Sequence, residues 1–153
     1  EAATDLRRAG TPASATIVPM SHNPTDISIH PIHLGLGATA EIEPQFTGEM
    51  SWYGGYSERH SGDGIEGRLV TMHTFGDSWD VWEMHPLGSE VVLCTAGRIT
   101  LHQEYADGAT ATVTLDPGEY AINPPGTWHT ADVEGSATAL FITAGTGTEH
   151  RPR

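Results

Sequence analysis

The stretch Trp82–Gly97, WEMHPLGSEVVLCTAG, places three potential metal ligands, Glu83, His85 and Glu90, within eight positions. Side chains alternate along an extended chain, so Val81, Glu83 and His85 share one face and Trp82 and Met84 the other. Pro86-Leu87-Gly88-Ser89 has turn composition. Glu90 then opens an apolar run in which Glu90, Val92 and Cys94 share a face. Paired as a hairpin with the inward register, the two strands bring Glu83, His85 and Glu90 together near the turn. The competing reading is a polar rim on an ordinary β-strand.

The texture around this stretch is strand, turn, strand. From Gly67 onward the chain reads RLVTMHTF, WDVWEMH, EVVLCTA, GRITLHQEY, ATATVTL, EYAIN, TWHTADV and ATALFITA, separated by short Gly, Pro, Asp and Ser turns. Strands of this length and spacing predict an all-β sandwich or barrel. The best helix candidate is TGEMSWYGGYSERH, residues 47–60. There Trp52, Tyr53 and Tyr56 have helical spacing, Thr47 suits the N-cap, and Gly54 and Gly55 weaken the pattern. Such a helix packs on the sheet, with Tyr53 or Tyr56 available to close one mouth of a barrel. No other helix interrupts the strands, which argues against a parallel α/β sheet.

A fourth ligand candidate follows in GEYAINPPGTWHT, residues 118–130. Pro125-Gly126 suits a type II turn that aims the next strand, where His129 alternates with Trp128 and Thr130. Gly118, five residues, Pro124, one residue, Gly126, two residues and His129 reproduce the second motif of the cupins. His85, four residues, Glu90, six residues and Gly97 match the first cupin motif, with Glu83 where its first histidine usually stands. The chain therefore resembles a small single-domain cupin over about residues 65–145.

The resemblance implies a cupin β-barrel, the double-stranded β-helix or jelly roll. It also implies His85, Glu90 and His129 as metal ligands and Glu83 as a fourth ligand of altered type, or as a catalytic base beside the metal. A carboxylate there suits Fe(II), Mn(II), Zn(II) or Ni(II). Cupins include oxygenases, decarboxylases, isomerases, epimerases, cyclases, sugar-binding proteins and metal-free members. The reading preferred here is a metal-dependent oxygenase acting on a small organic molecule. Non-oxidative chemistry (cyclase, isomerase or dehydratase), metal-free acid–base catalysis and ligand binding without catalysis remain alternatives. The family also implies a homodimer, for which a long N-terminal arm would suit strand exchange.

The domain is expected to run over residues 27–148, with an arm at 1–26 and a tail at 149–153. Residues 1–26 are rich in Ala, Thr, Pro and Ser and lack periodicity. Met20 opens a more usual start, so the residues before it are expected to come from a cloning tag or an upstream extension.

Bulk composition narrows the function classes. At 153 residues the chain is one domain with room for a real core. One cysteine, Cys94, excludes an internal disulfide and suits a reducing, cytoplasmic setting. Seven Lys and Arg against twenty Asp and Glu give a formal charge of −13. Such a surface repels phosphate backbones and anionic lipid, so nucleic acid and membranes are poor partners.

Other residues take structural readings. His73 and His102 are expected to face solvent, His150 to be a plain surface residue, and His30 and His33 to be structural because Pro31 forbids a helix between them. Cys94 is expected to fill space inside the barrel. Val81, Val92, Ile122 and Leu140 are expected to form apolar walls, with Tyr120 and Phe141 as possible lining. Trp82 and Trp128 are expected to pack between the sheet and its cover. There is no phosphate-cradling glycine loop and no Gly-x-Ser-x-Gly elbow.

Overall fold

A computed structural model describes residues 23–153. The arm expected over 1–26 and the question of Met20 therefore fall almost wholly outside the described residues.

Eleven strands form, in chain order β1 (Ile32–Gly35), β2 (Thr39–Ile42), β3 (Arg68–Phe75), β4 (Val81–Met84), β5 (Glu90–Ala96), β6 (Ile99–Glu104), β7 (Thr110–Leu115), β8 (Tyr120–Asn123), β9 (Trp128–Val133), β10 (Ala137–Thr143) and β11 (Glu149–Pro152). A six-stranded sheet runs β2-β1-β3-β10-β5-β8, and a five-stranded sheet runs β11-β4-β9-β6-β7. All strand pairings among the described residues are antiparallel. The two sheets pack face to face as a jelly roll. Between them lie Val92, Cys94, Ile99, Leu101, Leu115, Ala131, Ala137, Ala139 and Phe141, all buried. Their alternation along β5, β6, β9 and β10 is the period-2 pattern of half-buried strands, and burying these apolar faces drives the sheets together.

The helix α1 spans Met50–Arg59, three residues shorter at its start than the sequence suggested. Glu49 occupies the N-cap, and Thr47 instead accepts a hydrogen bond from the Glu49 backbone N–H at 3.3 Å. Trp52 is the buried residue of the helix, and its indole N–H donates to the Pro44 carbonyl.

Three sequence expectations are corrected. β4 and β5 do not form a hairpin: the turn 86–89 carries the chain from one sheet to the other, so the ligands of β4 and β5 meet across the barrel interior. Residues 149–152 are not a tail but an edge strand that pairs with β4 along Glu149↔Met84, His150↔Glu83, Arg151↔Trp82 and Pro152↔Val81. Ile122 and Leu140 are not inner walls. Each pairs across its sheet with an outward residue (Ile122↔Val91, Leu140↔Leu93), and Ile122 is 49% exposed. Tyr120 also faces out, whereas Phe141 faces the core.

Candidate metal centre

Glu83 on β4, His85 just past its end, Glu90 at the start of β5 and His129 on β9 converge between the sheets, with one ligand atom of each within 4.8 Å of the others. Two backbone devices aim them. Gly126 adopts φ +77° in the Pro-Gly turn, closed by the Thr127 N–H on the Pro124 carbonyl, and its own N–H donates to the His85 carbonyl. That bond ties the turn before His129 to His85. At the far end of β5, Gly97 adopts φ +70°, and a Cβ there would lie 2.1 Å from the Ser136 carbonyl oxygen.

His85, Glu90 and His129 are 3%, 3% and 0% exposed, so their polar atoms have no recourse to water. His129 Nε2 lies 2.9 Å from Glu90 Oε2, and His85 Nε2 lies 3.3 Å from Glu90 Oε1. Close as they are, neither contact has the direction of a hydrogen bond, and both Nε2 atoms are buried without a hydrogen-bond partner among the described residues. Ligands about 90° apart around an ion with bonds of about 2.1 Å lie about 3 Å from each other, which is the spacing found here.

The outer nitrogens explain the orientation. His129 Nδ1 is 3.2 Å from the Thr127 carbonyl, which only accepts, so Nδ1 carries the hydrogen. His85 Nδ1 is 2.9 Å from Thr148 Oγ1, whose own hydrogen is given to the Gly145 carbonyl, so this Nδ1 also donates. Both neutral rings therefore turn the Nε2 lone pair inward, towards a carboxylate. Lone pairs facing a carboxylate in a dry interior require a cation between them. Two carboxylates and two neutral imidazoles balance a divalent ion. The residues fit a metal.

Without a metal, a proton fills that need. Burial pushes the Glu90 carboxyl up, but His129 and His85 outweigh it and hold it well below the usual carboxylate range. Burial likewise opposes protonation of His129, but Glu90 prevails and raises its pKa.

The supports around the ligands carry no motif. Glu90 Oε1 accepts from Thr143 Oγ1 at 2.9 Å, and Oε2 accepts from Asn123 Nδ2 at 3.0 Å. Asn123 Oδ1 in turn accepts from Gln103 Nε2 at 2.6 Å, and Tyr105 donates to Gln103 Oε1. Glu83 is the open member, 27% exposed in its side chain, with Oε1 4.0 Å from His85 Nε2 and 3.3 Å from His150 Nε2. Tyr53 of α1 faces this side: burial raises its phenol pKa and the Glu83 charge raises it further.

No protein-family model matches the sequence, and no curated protein matches it. Among solved structures, oxalate decarboxylase of Bacillus subtilis is similar with a TM-score of 0.50 at 15% identity, over 63% of this chain and 26% of that one. The fold is that of a cupin. Oxalate oxidase is similar at TM-score 0.48 and 14% identity, over 54% of this chain and 45% of that one. A cupin-2 domain protein of Shewanella frigidimarina is similar at TM-score 0.41 and 20% identity, over 56% and 71%. The chain thus spans about a quarter of the decarboxylase and under half of the oxidase.

The remaining titratable residues sort by whether their atoms are satisfied. His33, His60 and Asp63 form a second compact group. There His33 Nε2 meets Asp63 Oδ2 at 2.7 Å, His33 Nδ1 meets the Tyr56 hydroxyl at 2.8 Å, and His60 Nε2 meets Glu43 Oε1 at 2.5 Å. These bonds pin α1 to β1, the structural role expected of His33. His30 also takes a structural place, with Nδ1 3.0 Å from the Glu43 carbonyl. His102 pairs with Asp132 on the outer side of β6.

His73 departs from expectation. It is half-buried, with ring centroids 5.0, 6.3 and 6.0 Å from Phe46, Phe75 and Phe141, and burial lowers its pKa. Phe75 and Phe141 lead on to Trp79, whose ring meets His129 at 6.2 Å and whose buried indole N–H has no partner among the described residues. Sequence reading missed Asn123, Gln103, Thr143 and Thr148. Only Asn123, a polar residue ending a strand just before the second motif's Pro124, carried any signal. Trp82 and Trp128 are covered as expected, by the Arg151 guanidinium at 5.0 and 4.5 Å from their ring centroids. Cys94 fills core space, its thiol pKa raised by burial.

Proposed function

We propose that this cupin is a metal-dependent enzyme holding one divalent ion, Fe(II), Mn(II), Zn(II) or Ni(II), on His85, Glu90 and His129 with Glu83 as the fourth ligand. Its substrate is a small organic molecule, and oxygenase chemistry is the first reading. The observation that carries the proposal is the pair of buried Nε2 atoms of His85 and His129, 3.3 and 2.9 Å from the Glu90 carboxylate and without a directed hydrogen bond among the described residues. Oxalate decarboxylase of B. subtilis, whose fold this chain shares, has Mn(II) centres.

A bound ion would supply a Lewis acid for a substrate oxygen and, if iron or manganese, electrons for oxygen activation. The chain's own residues do the rest. His85, Glu90 and His129 are locked from outside, so the centre is preorganised. Phe75, Trp79 and Phe141 exclude water beside His129, and the unpartnered Trp79 N–H offers a donor to a substrate oxygen. These rings and His73 favour an aromatic or otherwise planar substrate over a highly charged one. Glu83, accessible and free of directed hydrogen bonds among the described residues, also suits a base at the mouth. That feature favours the second reading, a non-oxidative cyclase, isomerase or dehydratase.

The proposal extends to a cytoplasmic setting, supported by the single buried thiol. Among the described residues no helix is long and apolar enough to cross a membrane. It extends also to a homodimer, considered below.

Elemental analysis of protein purified without a metal-affinity tag tests the central claim. About one transition metal per chain, lost to chelator, is expected, and His129→Ala should abolish it while the circular dichroism spectrum stays β-rich. Metal-free protein that takes up none on titration would turn the four residues into a polar pocket and remove the proposal.

A further inference from the structure

The residue row across the five-stranded sheet at the centre does not end at the four ligands. β11 pairs His150 directly with Glu83, β4 pairs Glu83 with His129, and β6 pairs Gln103 with His129. Directly paired residues share a face, so His150 stands on the barrel side of its edge strand, in line with the centre. Its Nε2 lies 3.3 Å from Glu83 Oε1, nearer than His85 Nε2 at 4.0 Å.

The four ligands are held very differently. Glu90 accepts two directed hydrogen bonds, and His85 and His129 are each fixed through Nδ1. The Glu83 carboxylate accepts none among the described residues and has two imidazoles within ion-pair distance of its Oε1, those of His85 and His150. It is also the exposed member, and the His150 side chain beyond it is 47% exposed. The same C-terminal run is seated on the site at a second point, since Thr148 receives His85 Nδ1. One short segment therefore fixes one ligand firmly and touches another loosely.

We propose that His150 is a positioning residue that competes with the bound ion for Glu83 and makes Glu83 a detachable fourth ligand. When Glu83 turns to His150, a coordination position opens on the solvent side, where an oxygen-bearing substrate can enter. When it turns inward, the position is closed. This rests on the metal reading above and adds to it a residue that lies outside both sequence motifs.

The test uses the full chain stripped with chelator and titrated with Co(II), whose visible absorption reports coordination number. Wild type, His150→Ala, His150→Gln, Glu83→Gln and the His150→Ala/Glu83→Gln double variant are compared for Co(II) dissociation constant and spectrum. Removing the competitor should tighten Co(II) binding by about two- to fivefold, the range of a partly exposed ion pair. It should also shift the spectrum towards the Glu83-ligated form. His150→Gln, which keeps an N–H donor, should restore the wild-type spectrum. In the Glu83→Gln background His150→Ala should change nothing, because the partner is gone.

His150→Ala with unchanged affinity and spectrum would overturn the proposal and leave the metal centre standing. Weaker binding in His150→Ala would overturn it too, since His150 would then help hold the ion. Wild type that binds no Co(II) would remove both readings at once, which separates that failure from the others. An exposed edge-strand residue tolerates such changes, and a thermal melt of each variant checks that the barrel is intact.

Discussion

Asn123 shows how much of the centre rests on residues that never touch a metal. Its Nδ2 donates to Glu90 Oε2 and its Oδ1 accepts from Gln103, so it fixes the carboxylate plane from behind. Asn123→Ala is expected to weaken metal binding about 10–100-fold, the usual cost of losing such a support, with the ligand set intact. Competition against a chromogenic chelator measures it, and unchanged affinity would mean that Glu90 needs no help. A second expectation concerns protons. In the metal-free protein the His129 pKa is raised, so its stabilisation is full below the ordinary histidine value of about 6.5 and is lost as pH rises through the folded value. Glu90 is depressed, so its contribution is present above the ordinary carboxylate value and is lost as pH falls through the folded one. The chelated protein should therefore lose this stabilisation as pH rises above about 6.5 and through the raised His129 value. Metal displaces the proton and should bind more tightly over the same range. Comparing Tm against pH for chelated wild type and His129→Asn isolates the pair, and identical profiles would contradict the assignment.

At the scale of elements, the sequence was most legible where one residue type has one physical use. Strands at Arg68–Phe75 and Glu90–Ala96 begin and end as their alternation and turns predict, because Gly, Pro and Asp break extended chain for reasons that need no tertiary context. Glu83, His85, Glu90 and His129 were legible as candidate ligands through their match to the two cupin motifs, which strand alternation alone does not supply. The hairpin between β4 and β5 was not, since the turn at 86–89 reads the same whether the chain folds back or crosses to the facing sheet. β11 was hidden because EHRP pairs only with a strand that tertiary folding places beside it, and so His150 passed for surface. Gly97 is an element-scale case that can be tested. Its left-handed φ and the approach of the Ser136 carbonyl leave no space for a methyl group. Gly97→Ala is expected to cost about 3 kcal/mol or more, from backbone strain and overpacking together, read as a lower urea midpoint at unchanged slope. A loss under about 0.5 kcal/mol, the size of an ordinary surface change, would show that the turn relaxes freely.

At the scale of the molecule, the outer face of the six-stranded sheet is the feature that composition could not reveal. The register aligns Ile42, Ile32, Val70, Ile142, Val91 and Ile122 in one row across all six strands. Met72, Leu140, Leu93 and Tyr120 form a second row beside it. Outward faces of antiparallel sheets ordinarily carry polar residues. Here Ile42, Ile122 and Tyr120 are 60%, 49% and 64% exposed, and neither row contains a charge in a chain of formal charge −13. Two copies of so acidic a protein repel each other over most orientations, and this carboxylate-free face is where the repulsion is least. An apolar sheet face can pack on a copy of itself, as a two-fold interface requires. The proposed homodimer therefore places this face of one copy on the same face of the other. Sedimentation at micromolar concentration should find the wild type dimeric, and Tyr120→Lys/Ile122→Lys should make it monomeric. Both side chains point outward from β8, on the face opposite Asn123 and Glu90, so metal content should be unchanged. A monomeric wild type, or a lysine variant that stays dimeric, would assign this face to something other than a second copy.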